Sequence, residues 1–394
     1  MPAFTQIRDA RASVRPARRE PDRAQAPARS GAPQAVAILI GQLSQGGSER
    51  QLYMFLANCD RARWAPTVFV SGQLGFWEGP IRALGIPVVL LLGNRLAKMA
   101  QLRAACVARG VTCLFSWSSY TNPFGLALLG AGIRRIGSFR NSLFADLPSR
   151  FRGLWSWASL AGVSIAVCNS RDTFAQLSSR RAARPKAAYV PNGVEAPCPT
   201  RIAAARAQWR NRLALTEDAV LLVGVGRLAS QKRFDRFLEV VAAVRTTAPV
   251  QAVIAGEDRG CLSDLERQID DLGLRDAVRL IGPVPDAREL ICAADIFLLT
   301  SDHEGMPNVV LEAMAAGRSC VAARVDGVAE VVEDGVTGLL GAPDATELAQ
   351  QVSRLVADPE LRRRIGAAAR ASVERRFNPI AIAGSLWSLC EETS

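Results

Sequence analysis

From residue 35 onward, short unbroken apolar runs alternate with longer stretches in which apolar positions recur near the helical period of 3.6 residues. A strand buried on both faces carries an unbroken apolar run, and the helices that cover it carry the amphipathic ones. The pattern therefore predicts parallel sheets layered with helices, an α/β protein. In the first half the predicted strands are residues 35–40, 67–70, 88–92, 113–117, 135–139 and 165–168, with a last short one before Pro191. The segment V-P-N-G-V-E-A-P-C-P-T, residues 190–200, then breaks the rhythm. Pro191, Pro197 and Pro199 lack an amide hydrogen, and with Gly193 they propagate neither helix nor central strand. The series restarts with predicted strands at 220–224, 251–255, 278–281, 296–300 and 320–323.

This organisation predicts two doubly wound, Rossmann-like domains facing an interdomain cleft, residues 34–196 and 200–375. Residues 376–394 read as a closing helix that packs across both, with Ile380, Ile382, Leu386, Trp387 and Leu389 near helical spacing. A length of 394 residues suits two ordinary domains, and 49% hydrophobic with 22% charged residues excludes disordered and fibrous classes for the bulk of the chain. Residues 1–33, rich in Arg, Ala and Pro without an apolar signal core, predict a disordered tail. The apolar stretch 154–167 falls short of the roughly 20 residues a spanning helix needs, so no transmembrane helix is expected.

Charge sharpens the picture because it is unevenly placed. The chain carries a formal +11, of which residues 34–200 contribute +12 and residues 201–394 contribute −5. A basic first domain suits nucleic acid, an anionic bilayer or a phosphate-bearing substrate, and charge alone does not choose among them. The nine cysteines, an odd number with no C-x-x-C pair, fit neither a disulfide framework nor a zinc site, and suit a reducing cytoplasm.

In open α/β sheets ligands bind beyond the carboxyl ends of the strands, so the loops there carry the candidate chemistry. Residues 301–317, S-D-H-E-G-M-P-N-V-V-L-E-A-M-A-A-G, read as a polar turn after an apolar strand, followed by a helix with Pro307 at its start. Glu304 lies on the turn and Glu312 about one turn inside the helix. Gly305, Met306 and Pro307 connect the first to the helix start, where the amides around Asn308 and Val309 form a natural anion site. Carboxylates accept hydrogen bonds from paired hydroxyls, so two glutamates bracketing a phosphate site form a sugar-nucleotide pattern; a solvated loop with a capping acid is the plainer alternative.

The stretch V-G-V-G-R-L-A-S-Q-K-R-F-D, residues 223–235, spells G-x-G-x-x-A, but no carboxylate stands about 20 residues on where a dinucleotide fold holds its ribose. Arg227 and Lys232 occupy the loop instead, and two cations at a strand end suit a diphosphate leaving group. After the first strand comes L-S-Q-G-G-S-E-R, residues 43–50, where Gly46 and Gly47 permit close backbone approach and Ser48 and Glu49 are expected to open the next helix. His303 is the only histidine and no G-x-S-x-G elbow occurs, which argues against a hydrolase triad. No D-x-D is present, so cations rather than a metal are expected to neutralise the leaving group.

Taken in order, G-G-S-E-R, P-N-G-V, V-G-R-L-A-S-Q-K-R-F-D, A-G-E-D, I-G-P-V-P-D, S-D-H-E-G-M-P-N-V-V-L-E-A-M-A-A-G and D-G-V-A-E-V-V-E-D-G-V-T-G-L-L resemble the retaining glycosyltransferases of family 4, of GT-B fold. The likeness is dense over residues 220–342 and thin over 52–185. It implies a nucleotide-sugar donor, UDP favoured, and no cofactor or metal. By this resemblance Glu304 contacts the transferred sugar, Glu312 the ribose hydroxyls, and Arg227 and Lys232 the diphosphate. It also places Ile281 and Val284 along the base, Gly46 and Gly47 against the phosphates, and Glu257 near the nucleotide. Many members carry a histidine in the first domain beside the reacting sugar; this chain has none there, and Ser138, Arg140, Asn141 and Asp146 are the candidates to fill that place. The expected course is same-face attack in which the departing phosphate takes the acceptor proton.

The resemblance further implies a saccharide or lipid-diphosphate acceptor, no nucleic-acid partner, and a cytoplasmic enzyme held to the anionic inner face of the plasma membrane. An epimerase on the same scaffold and a sugar-nucleotide-binding subunit without turnover are the alternative readings.

Overall fold

A computed structural model describes residues 32–140, 152–179, 185–216 and 218–391; all but the end of the predicted tail lies outside them, as do Asn141 and Asp146. Two parallel sheets organise these residues. The first comprises β1 (Gln34–Gln42), β2 (Trp64–Gln73), β3 (Val88–Leu90), β4 (Cys113–Ser116), β5 (Arg134–Phe139), β6 (Ile165–Cys168) and β7 (Lys186–Tyr189), in the order β3-β2-β1-β4-β5-β6-β7. The second comprises β8 (Val220–Val225), β9 (Val250–Ala255), β10 (Val278–Leu280), β11 (Ile296–Leu299), β12 (Ser319–Ala323) and β13 (Leu339–Gly341), in the order β10-β9-β8-β11-β12-β13.

Both sheets are doubly wound, and each reverses strand order once, between β1 and β4 and between β8 and β11. Those reversals open the crevices in which such folds bind ligands. The central strands are apolar throughout because helices cover both faces: β11 (I-F-L-L) and β12 (S-C-V-A-A) are buried at every position. The second domain thus has one core on each side of its sheet, one around Phe297, Leu311 and Met314, the other around Phe237, Val241 and Leu348.

Two strands differ from the sequence expectation. β2 runs through Pro66, because Val68 is the first β2 residue to pair with β3. Pro66, without an amide hydrogen, lies on a part of β2 that has no neighbour on that side and costs no ladder bond. β13 was not expected; its three residues, L-L-G, are too short to show a period within a turn-rich segment.

The closing helix, Pro379–Ser388, leaves the second domain and joins the core of the first. Trp387 stacks on Phe55 with ring centroids 4.2 Å apart and on Trp64 at 5.4 Å. Among the described residues, no helix is long and apolar enough to cross a membrane.

Candidate functional site

The loops after β1, β8 and β11, the strands at the two reversals, come together across the cleft. The loops after β8 and β11 are sewn to each other first. Gln231 Nε2 donates to the His303 carbonyl at 2.8 Å, the Asp302 amide to the Gln231 carbonyl at 3.0 Å, and the Thr300 hydroxyl to the Lys232 carbonyl at 3.0 Å. Arg233 follows in the left-handed region, φ 51°, a conformation costing about 1–3 kcal/mol for a residue with a side chain. Its guanidinium bonds to Asp235 and Asp302, which ties that turn down. Lys232 is thereby aimed at Glu304, with Nζ 2.6 Å from Oε1, and both side chains are largely buried. The Ser301 hydroxyl donates to the same oxygen at 2.7 Å. Arg227 is exposed on the same loop, and its guanidinium has no hydrogen-bond partner among the described residues.

Glu304 is followed by buried Gly305, Met306 and Pro307, and the helix Asn308–Ala315 starts with Pro307 as its N-cap. Backbone packs on backbone here: a side chain at Gly327 would collide with the Gly305 carbonyl. Val309 is half-buried against the core. Glu312, one turn in, is buried, and desolvation pushes its pKa up despite the neighbouring Arg50 and Arg288. Asn308 links three elements, for its Oδ1 accepts from Asn192 Nδ2 at 2.8 Å and from Gln51 Nε2 at 3.1 Å. Gln51 in turn bonds Gly193 through both its carbonyl and its amide, and the Asn192 amide points at the Met306 sulfur, 3.1 Å away.

The first domain contributes its β1 loop. The helix Gly47–Ala57 begins one residue earlier than the Ser48–Glu49 start expected, with Gly46 as N-cap and no side-chain cap. Gly47 lies so close to the second domain that a Cβ there would stand 2.6 Å from Asn308 Nδ2. Glu49 is buried and accepts from Ser44 at 3.1 Å and Gln42 at 3.5 Å; burial raises its pKa, and Arg227 across the cleft opposes the rise. Gln45 reaches the loop after β10, where Nε2 donates to the Val284 and Pro285 carbonyls at 3.0 and 2.8 Å. Ile281 and Val284 are half-buried there. Glu257 is exposed at the start of the loop after β9, paired with Arg259 at 2.9 Å.

The structure thus gathers Gly46, Gly47, Lys232, Glu304, Asn308 and Glu312 along one cleft. Arg50, Gln51, Asn192 and Glu49 were not identified from sequence as site residues. The one signal for Glu49, Arg50 and Gln51 is a run of polar residues, S-E-R-Q, at the start of a helix whose Glu49 and Gln51 turn out to be buried, and Asn192 stands in the P-N-G-V segment. The candidates for acceptor activation fare differently. Ser138 is fully buried. Arg140 lies over the Trp117 ring at 3.9 Å and donates to Asn192 at 3.0 Å, so neither faces an acceptor freely; Asn141 and Asp146 lie outside the described residues.

A cavity of about 690 Å³ elsewhere, lined by Arg206, Arg318, Arg362 and Arg370, contains none of these residues. Three of its guanidiniums bond to carbonyls at helix ends, Arg206 to Ala293 at 2.8 Å, Arg318 to Ala316 at 3.0 Å and Arg362 to Val356 at 3.0 Å, and Arg370 pairs with Glu374 at 3.0 Å.

Residues 205–372 match the family model of glycosyl transferases group 1. Alpha-D-kanosaminyltransferase of Streptomyces kanamyceticus is 38% identical over 166 residues, 41% of this chain and 42% of that protein. The lipopolysaccharide core biosynthesis glycosyltransferase LpsD of Rhizobium meliloti (strain 1021) is 34% identical over 166 residues, 42% of this chain and 47% of that protein. The matches thus span about half the length of these relatives. Among solved structures, Anabaena Alr3699/HepE in complex with UDP superposes with a TM-score of 0.78 at 22% identity, over 91% of this chain and 99% of that one. The fold is that of the GT-B glycosyltransferases, two Rossmann-like domains across a cleft.

Proposed function

We propose that the protein is a retaining glycosyltransferase of family 4 that moves a hexose or N-acetylhexosamine from a nucleotide sugar to a lipid-linked or polysaccharide acceptor. The observation that carries this reading is the Lys232–Glu304 pair, 2.6 Å apart, at the joined ends of β8 and β11. Glu304 offers the sugar hydroxyls a carboxylate held in place by Lys232 and Ser301. Lys232 and the unpaired Arg227 stand ready for a diphosphate, whose charge grows as the glycosidic bond breaks, so they stabilise the transition state more than the bound donor. The amides at the start of the Asn308 helix add to that field. Glu312 receives the ribose diol, and Ile281 and Val284 border the base.

The acceptor hydroxyl attacks the anomeric carbon on the face the phosphate is leaving. The leaving phosphate oxygen takes the hydroxyl proton, releasing a nucleoside diphosphate and a glycoside of retained configuration. Protein cations rather than a metal ion neutralise the leaving group.

UDP is the favoured base carrier, a choice supported by HepE, which has been solved with UDP-glucose. LpsD, named for lipopolysaccharide core biosynthesis, supports a saccharide acceptor in surface polymer assembly. A membrane-facing acceptor fits the first domain's surface as well. Leu96, Leu154 and Trp157 stand exposed on two helices joined where Arg95 lies 4.3 Å over the Trp155 ring. Exposed Trp and Leu beside basic residues suit an anionic bilayer surface.

A thermal-shift screen with UDP-, GDP- and ADP-sugars tests the donor, since a ligand that binds the folded state raises the melting temperature. Turnover of the binding donor with Glu304→Ala tests the site. Loss of transfer with nucleotide affinity retained supports the assignment; unchanged turnover refutes it. An inverted anomeric linkage by NMR excludes the mechanism.

A further inference from the structure

The buried Glu312 carboxylate draws its nearest counter-charge from the opposite domain. Arg50, in the first turn of the Gly47–Ala57 helix, donates through Nη1 to Glu312 Oε1, and its Nη2 stands 3.4 Å from Asp286 Oδ1. Both partners are well shielded, 18% exposed for Arg50 and 7% for Glu312. The remaining charges around them are Arg288, which grips Asp286 at 2.8 Å, Arg201, which reaches the same carboxylate at 3.0 Å, and Glu195, which faces Arg288. Arg50 engages one Glu312 oxygen only. Oε2 has no hydrogen-bond partner among the described residues and is not among the sealed polar atoms.

A guanidinium can take both oxygens of a carboxylate as a fork, yet here it straddles two carboxylates and leaves one oxygen of Glu312 open. That arrangement holds the group without consuming it. We propose that Arg50 is a positioning residue. From the first domain it holds Glu312 in place and pairs its charge, so that Oε2 receives the ribose diol and donor affinity depends on the two domains being closed on each other. The inference rests on the reading of Glu312 as the ribose contact.

The physical consequence is a coupling between cleft closure and donor binding. With Arg50 withdrawn, Glu312 keeps Arg288 but also the like-charged Asp286, and burial then favours its protonated form. A neutral carboxyl is a weaker acceptor for two hydroxyls. The same residue next in the chain, Gln51, ties Asn308 and Gly193 together, so Arg50 sits on a segment already fixed against the second domain. Lysine is an imperfect substitute, because a point charge cannot bond Glu312 and Asp286 in two fixed directions.

The test is calorimetric titration of the tightest binder among UDP, GDP and ADP into wild type, Arg50→Ala, Arg50→Lys, Glu312→Ala and the double variant, between pH 5.5 and 8.5. Arg50→Ala is expected to bind about tenfold more weakly at pH 7.5. Losing Arg50 removes a contact that lowers the Glu312 pKa, so the variant's affinity should fall on acidification at a higher pH than any fall in the wild type. Arg50→Lys should restore part of the affinity and flatten the pH profile. Adding Arg50→Ala to Glu312→Ala should cost nothing more, since the coupled partner is already gone. If Glu312→Ala weakens binding while Arg50→Ala matches wild type in affinity and pH profile, or binds tighter, Arg50 is not a positioning residue and the ribose reading stands. If Glu312→Ala binds as wild type, the ribose reading fails and this inference with it. Should Arg50→Ala fold poorly, Arg50→Gln, which keeps hydrogen-bond donors without charge, carries the same comparison.

Discussion

Truncating Trp387 to alanine should loosen the protein where the closing helix is fastened. Its indole is 4% exposed, stacked 4.2 Å from the Phe55 ring at 18° and 5.4 Å from Trp64, and Nε1 donates to the Phe55 carbonyl at 3.3 Å. Removing a buried Trp side chain costs about 3–5 kcal/mol, the transfer of its apolar surface plus the cavity left behind. The ring contacts and the hydrogen bond place this site toward the upper end. A domain of this size loses about 2–4 °C of melting temperature per kcal/mol, so the first-domain transition should fall by about 10 °C or more. The effect should reach the cleft as well. The helix starts at Pro379, which is packed on Gly193, and the Val194 amide bonds the Phe377 carbonyl at 3.0 Å, so the strap is fastened to the segment that joins the two domains. Differential scanning calorimetry gives the first number, limited proteolysis at the carboxyl end the detachment, and kcat/KM the loss at the cleft. A fall of less than about 3 °C, or Trp387→Phe behaving as badly as Trp387→Ala, would refute the stacking argument.

Three further outcomes follow from named contacts. Lys232→Ala should lower kcat by about 10²–10³, the usual loss when a charge-stabilising donor is removed from a transition state; a change below tenfold in single-turnover rate would contradict its role. Glu49→Gln should melt higher than wild type at pH 7.5. Burial raises the folded pKa of Glu49 above its ordinary 4.5, so the stability of its protonated form is full below that value and lost as pH rises through the folded one. Glutamine stays neutral throughout, and the gap should close toward pH 4.5; equal melting at both pH values would count against this. Finally, Trp157→Asp with Leu154→Asp should abolish pelleting with anionic vesicles at low salt and spare turnover of a water-soluble acceptor; undiminished pelleting would move the membrane surface elsewhere.

Much of this molecule can be read from its sequence because the relevant rules are local. Unbroken apolar runs such as I-F-L-L and V-L-L-V mark strands buried on both faces, and the prolines between 190 and 200 mark where one series of strands ends. Glu304, Asn308 and Glu312 keep their relation because one turn and one helix connect them, and Lys232 keeps its place at a strand end. Local rules gave less at the edges: Pro66 falls inside a strand because its neighbour starts later, and β13 is fixed by pairing with β12 rather than by its own three residues.

What the tertiary structure alone decided is the partnership between halves. Arg50 meets Glu312 across 262 positions of chain, Gln45 meets Val284 across 239, and Asn192 meets Asn308 across 116. Nothing in the spacing of either member points to the other. Each contact depends on how two finished domains sit against each other, a rigid-body arrangement set by many packed residues and by the Trp387 strap. The sequence by itself thus determined two doubly wound sheets and which residues stand at their strand ends. The structure decided that Lys232 is turned onto Glu304, that Ser138 and Arg140 are engaged inside the first domain, and that the Glu312 carboxylate is held by an arginine from the far wall. Hydrophobic periodicity acts over a few residues, whereas charge pairing across a cleft acts only after folding has brought the two walls within a few ångströms.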